Sequence, residues 1–485
     1  MVRITAVLNV LSVILVIFSL TMLVPLAVSL VSRDSAVSAY FGSAVSTFSA
    51  GALVWLATRR GRMELQPRDG FLLVTLVWTV LPAFATLPLL LEIGGLSFTD
   101  AYFETVSGMT TTGSTVLSNI ENLAPSINFW RCQLQWMGGM GIIVLAVAVL
   151  PLLGVGGSQV FRAETPGPMK DTKLTPRITE TAKGLWLVYA LITLLCVFAM
   201  RGAGMSWFDA LLHAFTTMSL GGMSSHDASF AYWNSPAIEA VTIFFMLIAG
   251  MNFASHFLAL RGRSFSAYGR DPEVRPYLGV LILSVIGIAF FLWWHGIYSN
   301  FSTALRHAAF NVVSMATTTG HASVDFNTWP MFAPVWMLFL CCFSTCSGST
   351  GSGIKMVRAE LMARQTLREF QRIIHPKAII PVKLGGQAVE NKIIFAVLAF
   401  MLVYGGSVIA MTMILAASGL DIISSFTAVI ASINNTGPGL NQVGPSTNFA
   451  SLTDFQTWIC AIAMLLGRLE LFTLIVVFTP GFWRQ

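Results

Sequence analysis

The sequence predicts an all-α polytopic membrane protein. Four repeats of helix, re-entrant half-helix and helix surround a pseudo-fourfold pore, and two extra N-terminal transmembrane helices precede them; about ten spans and two cytoplasmic termini are expected. Three observations carry that reading. First, 55% of the 485 residues are hydrophobic and 10% are charged, with a mean hydropathy of +0.74. Soluble domains carry about 25% charged residues, so a water-soluble enzyme or binding module of this size is excluded. Second, the apolar residues lie in blocks, and about 20 such residues cross a bilayer as a helix. Third, four short polar-ended segments recur at intervals of roughly a hundred residues.

Full-length spans are expected at Ile4–Leu30, Gly70–Leu91, Phe129–Leu153, Gly184–Met200, Pro236–Leu260, Pro276–Trp294, Ile393–Ala417 and Phe455–Phe478. The first is too long an apolar run for a signal peptide, whose core has about 7 to 15 residues, so it reads as a retained helix. Ser38–Leu56 is rich in Ala, Gly and Ser, which suits a helix packed on other helices. Pro330–Phe343 is too short to cross, and its run ends in Ser344-Thr-Cys-Ser-Gly-Ser-Thr-Gly-Ser-Gly353. Non-helical backbone at that depth must face protein or water. The resulting units are an N-terminal helix pair (1–69), repeat one (70–155) and a cytoplasmic linker with repeat two (156–270). Repeat three (271–378) holds an intramembrane loop (344–354) and a cytoplasmic helix, and repeat four is 379–485.

Sidedness follows from Lys and Arg, which accumulate on the cytoplasmic side. An inside N-terminus places 23 of the 28 there, and leaves Arg33, Arg131, Arg201 and Arg306 on the opposite face. That outer face carries Glu92, Asp100, Glu121, Asp209, Asp227, Asp325, Asp421 and Asp454, a sign that concentrates cations and disfavours an anion path. The net charge of +6 is thus an orientation signal, and no nucleic-acid partner is expected.

The four recurring segments align at a glycine: Glu104-Thr-Val-Ser-Gly-Met-Thr-Thr-Thr-Gly113, His213-Ala-Phe-Thr-Thr-Met-Ser-Leu-Gly-Gly222, Asn311-Val-Val-Ser-Met-Ala-Thr-Thr-Thr-Gly320 and Ala428-Val-Ile-Ala-Ser-Ile-Asn-Asn-Thr-Gly437. Each lies between two apolar blocks and has about half the length a crossing requires, so each must re-enter. Asp100, Asp209 and Asp421, with Ser302 or Thr303 in the third copy, are the expected caps of the outer ends. The opposite ends then point to the membrane centre with their partial negative charge. The glycine after each lets the chain turn back with carbonyls exposed. Four such sets suit a dehydrated monovalent cation. The candidate ligands are backbone carbonyls of Thr111, Thr112, Gly113, Leu220, Gly221, Gly222, Thr318, Thr319, Gly320, Asn435, Thr436 and Gly437. A single TTTG reads as a packing motif; four copies at matching places do not.

With the glycine-rich break in repeat three and the two extra N-terminal spans, these segments resemble the TrkH family, the membrane subunits of bacterial Trk potassium-uptake systems within the Trk, Ktr and HKT superfamily. The resemblance covers the whole chain. It implies potassium as the transported ion, a multi-pass protein of the bacterial inner membrane and a homodimer with one pore per protomer. It also implies a cytosolic TrkA-type nucleotide-binding regulatory subunit. Relatives with Ser at the first filter glycine pass sodium, whereas Gly stands at 113, 222, 320 and 437 here, which favours potassium.

Two features are expected to gate that path. Gly348, Ser349, Thr350, Gly351, Ser352 and Gly353 form a loop that fails as a phosphate loop, because Ile354 stands where Lys is required directly after the second glycine. It reads as an intramembrane gate under the filter. Arg468 lies mid-span, where a charge costs at least about 2.5–3.5 kcal/mol and normally faces a cavity or partner. Gly467 follows Gly437 by nearly the interval at which Gly348 follows Gly320, which puts Arg468 and the loop at one depth. An interhelical ion pair is the plainer reading of Arg468. The chain has no nucleotide-binding βαβ unit, so nucleotide control must come from a partner. The basic stretch with Arg364, Arg368, Arg372, Lys377 and Lys383 suits that partner or lipid headgroups. No cofactor, disulfide or metal site other than potassium at the filter is expected, since the six cysteines and seven histidines show no ligand spacing. A proton- or sodium-coupled potassium symporter using the same filter is the alternative function, and an intramembrane enzyme the remote one.

Overall fold

The computed structural model describes residues 4–59, 66–148 and 178–484. The predicted linker from 156 up to residue 177, and residues 149–153 of the third predicted span, lie outside that set. Six helices are long and apolar enough to cross a membrane among the described residues: Ile4–Ser32, Val37–Thr58, Arg68–Glu92, Lys183–Gly202, Val274–Trp294 and Asn391–Ala417. The chain is a multi-pass helical membrane protein. Its lipid-facing side chains remain in the open, Leu283 at 73% and Leu402 at 78% exposed.

The short helix of repeat three breaks off where expected, but not every predicted full-length span is unbroken. The first predicted span divides at Met22 into Ile4–Thr21 and Leu23–Ser32. Pro25, in the first turn after the break, has no N–H to continue the ladder. The predicted span Pro236–Leu260 divides into Pro236–Ala249 and Phe253–Gly262, bent by 94° at Gly250–Asn252. Asn252 caps the second half by accepting from Ala254 N. Its freed backbone groups are taken up by the loop of repeat three: Cys346 N donates to Gly250 O at 3.1 Å and Phe253 N to Gly348 O at 3.0 Å. The last predicted span ends as Asp454–Arg468, turns through Glu470 and Leu471 at positive φ, and resumes as Phe472–Val477. In repeat three, Phe332–Phe343 gives way to the loop and then to the helix Met356–Ile374.

Four half-length helices lie between these elements: Phe98–Met109, Trp207–Met218, Phe301–Ala316 and Ile422–Ile433, called pore helices one to four below. Their caps differ from expectation in three copies. Ser97 and Ser206 are the N-caps, accepting from Asp100 N and Asp209 N, so those aspartates sit inside the first turn, where the helix dipole favours them. Asn300 caps the third without a side-chain bond, whereas Asp421 does cap the fourth through Ser424 N. A two-stranded hairpin, Lys383–Leu384 against Gln387–Ala388, is the one departure from helix and turn among the described residues. Gly385 and Gly386, both at positive φ, make its turn, a pairing that favours tight hairpins. Arg68 Nη1 reaches Arg484 O at 2.9 Å, which places Arg484 beside the start of the helix Pro67–Ala85.

Candidate functional site

All four pore helices end in the same way. Thr111 N donates to Gly108 O at 3.0 Å and Thr112 N to Ser107 O at 2.8 Å. Leu220 and Gly221 repeat that pair on Thr217 and Thr216, Thr318 and Thr319 on Met315 and Ser314, and Asn435 and Thr436 on Ser432 and Ala431. These are Schellman closures, which need a left-handed residue just past the helix. Thr111, Leu220, Thr318 and Asn435 supply it at φ of 56°, 54°, 61° and 52°. A β-branched residue is rarely left-handed, and two of these four are threonines. The turn expected at the glycine therefore starts two residues earlier. Gly113, Gly222, Gly320 and Gly437 follow as a second left-handed set at 86°, 75°, 85° and 98°.

The glycines close the ring. A β-carbon on Gly113 would overlap Gly221 O, one on Gly222 would overlap Thr319 O, and one on Gly320 would overlap Thr436 O. On Gly437 it would stand 3.0 Å from Thr112 O, the loosest seam. Each glycine thus presents a Cα–H where a side chain would collide with the next segment's carbonyl. The cyclic order is one, two, three, four and back to one. All twelve predicted ligand residues are brought together, buried apart from the edges of Gly113, Gly222 and Gly320. Repeat two departs from the threonine pattern. Gln135, from the helix Pro125–Ala148, fills the space beside Gly221, donating through Nε2 to Gly221 O at 2.5 Å and accepting from Met223 N at 3.1 Å.

Behind the ring, the first residue of three of the aligned segments braces the outgoing chain. Glu104 accepts from Thr115 Oγ1 at 2.9 Å and Val116 N at 3.2 Å. His213 Nε2 meets Ser224 Oγ at 2.9 Å, and Asn311 accepts from Ser323 N at 3.2 Å. In the fourth copy Ala428 has no polar group, and Thr427 Oγ1 accepts from Leu440 N at 3.0 Å instead. Sequence reasoning missed these braces, although the alignment itself sets Glu104, His213 and Asn311 in one column.

The loop 344–354 lies directly beneath the ring. Thr350 Oγ1 donates to Met218 O at 3.0 Å, the last carbonyl of pore helix two, and Ser352 N to Thr318 Oγ1 at 3.3 Å. A β-carbon on Gly353 would stand 3.2 Å from Asn434 Oδ1. Arg468 joins the loop to the first segment of the ring. Its Nη1 donates to Thr111 Oγ1 at 2.8 Å, Ser352 Oγ at 3.2 Å and Thr350 O at 3.3 Å, while Nη2 donates to Gly138 O at 2.9 Å. The guanidinium also lies over Trp78, 5.6 Å from the ring centre. These partners are neutral, so Arg468 is held by hydroxyls, carbonyls and a π face. Glu470 belongs to Arg358, at 3.0 Å. Below the loop, Glu273 Oε2 accepts Ser347 N at 2.9 Å and Val357 N at 3.2 Å, gathering its two ends. Burial pushes the Glu273 carboxyl up to about 8.

Residues 36–484 match the TrkH family, described as a cation transport protein. The chain belongs to the TrkH family. TrkH-family relatives align along its whole length: the Trk system potassium uptake protein TrkH of Salmonella typhimurium is 46% identical over 481 residues, covering 99% of both chains. The protein of that name from Halomonas elongata is 47% identical over the same span. The crystal structure of the potassium transporter TrkH from Vibrio parahaemolyticus superposes with a TM-score of 0.91 at 40% identity, covering 99% of this chain and 100% of that one. The TrkH family is a transport family and not an enzyme family, which sets aside the intramembrane enzyme.

Proposed function

We propose that the chain takes up potassium across the bacterial inner membrane, along the axis of the four-segment ring. The ring closure carries this reading: four Schellman-ended segments meet at four glycines, three of them where only a hydrogen fits and the fourth in close contact, and so hold their backbone oxygens together. Carbonyls of Thr111, Thr112 and Gly113, of Leu220, Gly221 and Gly222, of Thr318, Thr319 and Gly320, and of Asn435, Thr436 and Gly437 replace the ion's water shell. Relatives named as Trk system potassium uptake proteins support potassium as cargo. An inside-negative potential contributes about 2.3 kcal/mol per elementary charge per 100 mV, which drives net entry.

In this reading Arg468 and the loop 348–353 close the path from below, the loop by its bulk and the guanidinium by its charge. The repeats take the boundaries 70–155, 156–270, 271–378 and 379–485, after the N-terminal pair 1–69. The working assembly is a homodimer on a TrkA-type nucleotide-binding subunit. The helix Met356–Ile374 supports such docking, with Leu367, Phe370 and Ile373 exposed beside Arg364 and Arg372.

Reversal potentials of the purified chain in planar bilayers test the function. Under opposed potassium and sodium gradients the potential should follow potassium; equal permeabilities contradict the reading. Imposed proton or sodium gradients that move the reversal potential at fixed potassium would favour the coupled symporter.

A further inference from the structure

Resting on the filter reading above, we propose that Glu104, in its buried ion pair with Arg131, neutralises the one basic side chain on the wall of the outer vestibule, which Asp227 and His226 also line, and that the pair fastens the first filter segment to the second. Both side chains are 1% exposed, and Arg131 Nε lies 2.7 Å from Glu104 Oε1. A buried pair persists only where its other groups are also satisfied, and here the partners are the filter's own outgoing strands. Glu104 accepts from Thr115 Oγ1 and Val116 N, just past Gly113. Arg131 Nη2 donates to Thr115 Oγ1 at 3.2 Å, while Nη1 donates to Asn128 Oδ1 and to Ser224 O, each at 3.3 Å; Ser224 lies two residues past Gly222. One guanidinium therefore spans the seam between repeats one and two.

Bracing alone does not call for charge. His213 and Asn311 do the equivalent work in repeats two and three, and Asn311 is a neutral amide. Repeat one differs in that Arg131 also lines the vestibule above the four glycines, and it is the one Lys or Arg among the described residues that do so. An uncompensated cation there would repel each approaching potassium ion. Glu104 cancels it, so the arginine can tie the two strands without closing the mouth to cations.

The test uses the full chain in proteoliposomes, with rubidium uptake against concentration and the potassium-to-sodium permeability ratio read together. Glu104→Gln strands the cation, and its half-saturating rubidium concentration should rise about tenfold, as expected for an uncompensated unit charge on the vestibule wall. Arg131→Met strands the carboxylate and should shift it the other way. The double variant restores the balance: half-saturation returns to near wild type, while the permeability ratio stays low because the link to Ser224 is gone. Charge-preserving Glu104→Asp and Arg131→Lys should lower the ratio and leave half-saturation unchanged, and they decide the matter should the charge-removing forms not fold. Single variants with wild-type half-saturation, or a double variant whose shift is no smaller than that of Glu104→Gln, overturn the proposal. A wild-type chain that does not discriminate potassium from sodium overturns the filter reading instead.

Discussion

Arg468 donates to the side chain of Thr111, not to its carbonyl, across 2.8 Å. The carbonyl geometry of that segment is fixed separately, by Thr111 N on Gly108 O and Thr112 N on Ser107 O. Removing the guanidinium thus frees the loop at Thr350 and Ser352 and leaves the ring's backbone closures intact. Each lost hydrogen bond to a charged group is worth about 1.5–3 kcal/mol, enough to raise an open population by about tenfold or more. Arg468→Ala should therefore increase rubidium flux by about that factor at an unchanged potassium-to-sodium ratio. Arg468→Lys should behave like Ala rather than wild type, because a point ammonium cannot span Gly138, Thr111 and the loop together. Unchanged flux in an Arg468→Ala protein that still folds would sink the gate.

The ring seams are unequal, which predicts a graded series. A side chain at Gly113, Gly222 or Gly320 collides with a neighbouring carbonyl, whereas at Gly437 it stands 3.0 Å from Thr112 O. Serine at any of the first three should abolish discrimination against sodium. Gly437→Ser should retain part of it, since a shift of a few tenths of an ångström relieves the contact. Reversal potentials of the four variants order the seams, and a Gly437 variant as unselective as the Gly320 one contradicts that order.

The four glycines, the break after Phe343 and the depth of Arg468 were legible because each is a local irregularity in an apolar background. The turn itself was misplaced. Glycine is the usual left-handed residue, yet Thr111, Leu220, Thr318 and Asn435 adopt that conformation, held there by tertiary packing that no propensity reports. The helix caps slipped for a related reason: Ser97 and Asp100 are both good N-cap residues, and only the backbone decides between them. The broken span at Gly250 was read as continuous because its partner, the loop at Cys346 and Gly348, lies about a hundred residues further along the chain.

Glu273 gives the region beneath the ring a pH signature in stability. Its carboxyl is raised from an ordinary value of 4.5 to about 8, with burial the leading cause and the Ser347 N–H acting against it. Between those values the folded chain holds a proton that the unfolded chain has released, so stability falls as pH rises from about 4.5 to about 8 and is level above. Glu273→Gln keeps an oxygen for the N–H groups of Ser347 and Val357 and removes the titration. Thermal unfolding in detergent across that range should decline more steeply for the wild type than for this variant. Parallel curves would show that another group carries the dependence.

Repeat two supplies the sharpest test of how the ring is held. Where the other copies place Thr112, Thr319 and Thr436, it has Gly221, and the Gln135 amide fills the vacant space while bonding Gly221 O at 2.5 Å and Met223 N at 3.1 Å. A β-carbon on Gly221 would stand 2.5 Å from the Gln135 amide carbon. Gly221→Thr alone must therefore displace the amide and distort the seam to Gly113. Gln135→Ala alone removes the bridge, at a cost of about 1–3 kcal/mol for leaving buried backbone groups unpaired, and should lower the potassium-to-sodium ratio severalfold. Together the two changes rebuild the arrangement of the other repeats, with a threonine in the space the amide has left. The double variant should recover selectivity beyond either single one. A double variant no better than the sum of its parts would mean that Gln135 acts through the bridge to Met223 and not by filling the space beside Gly221.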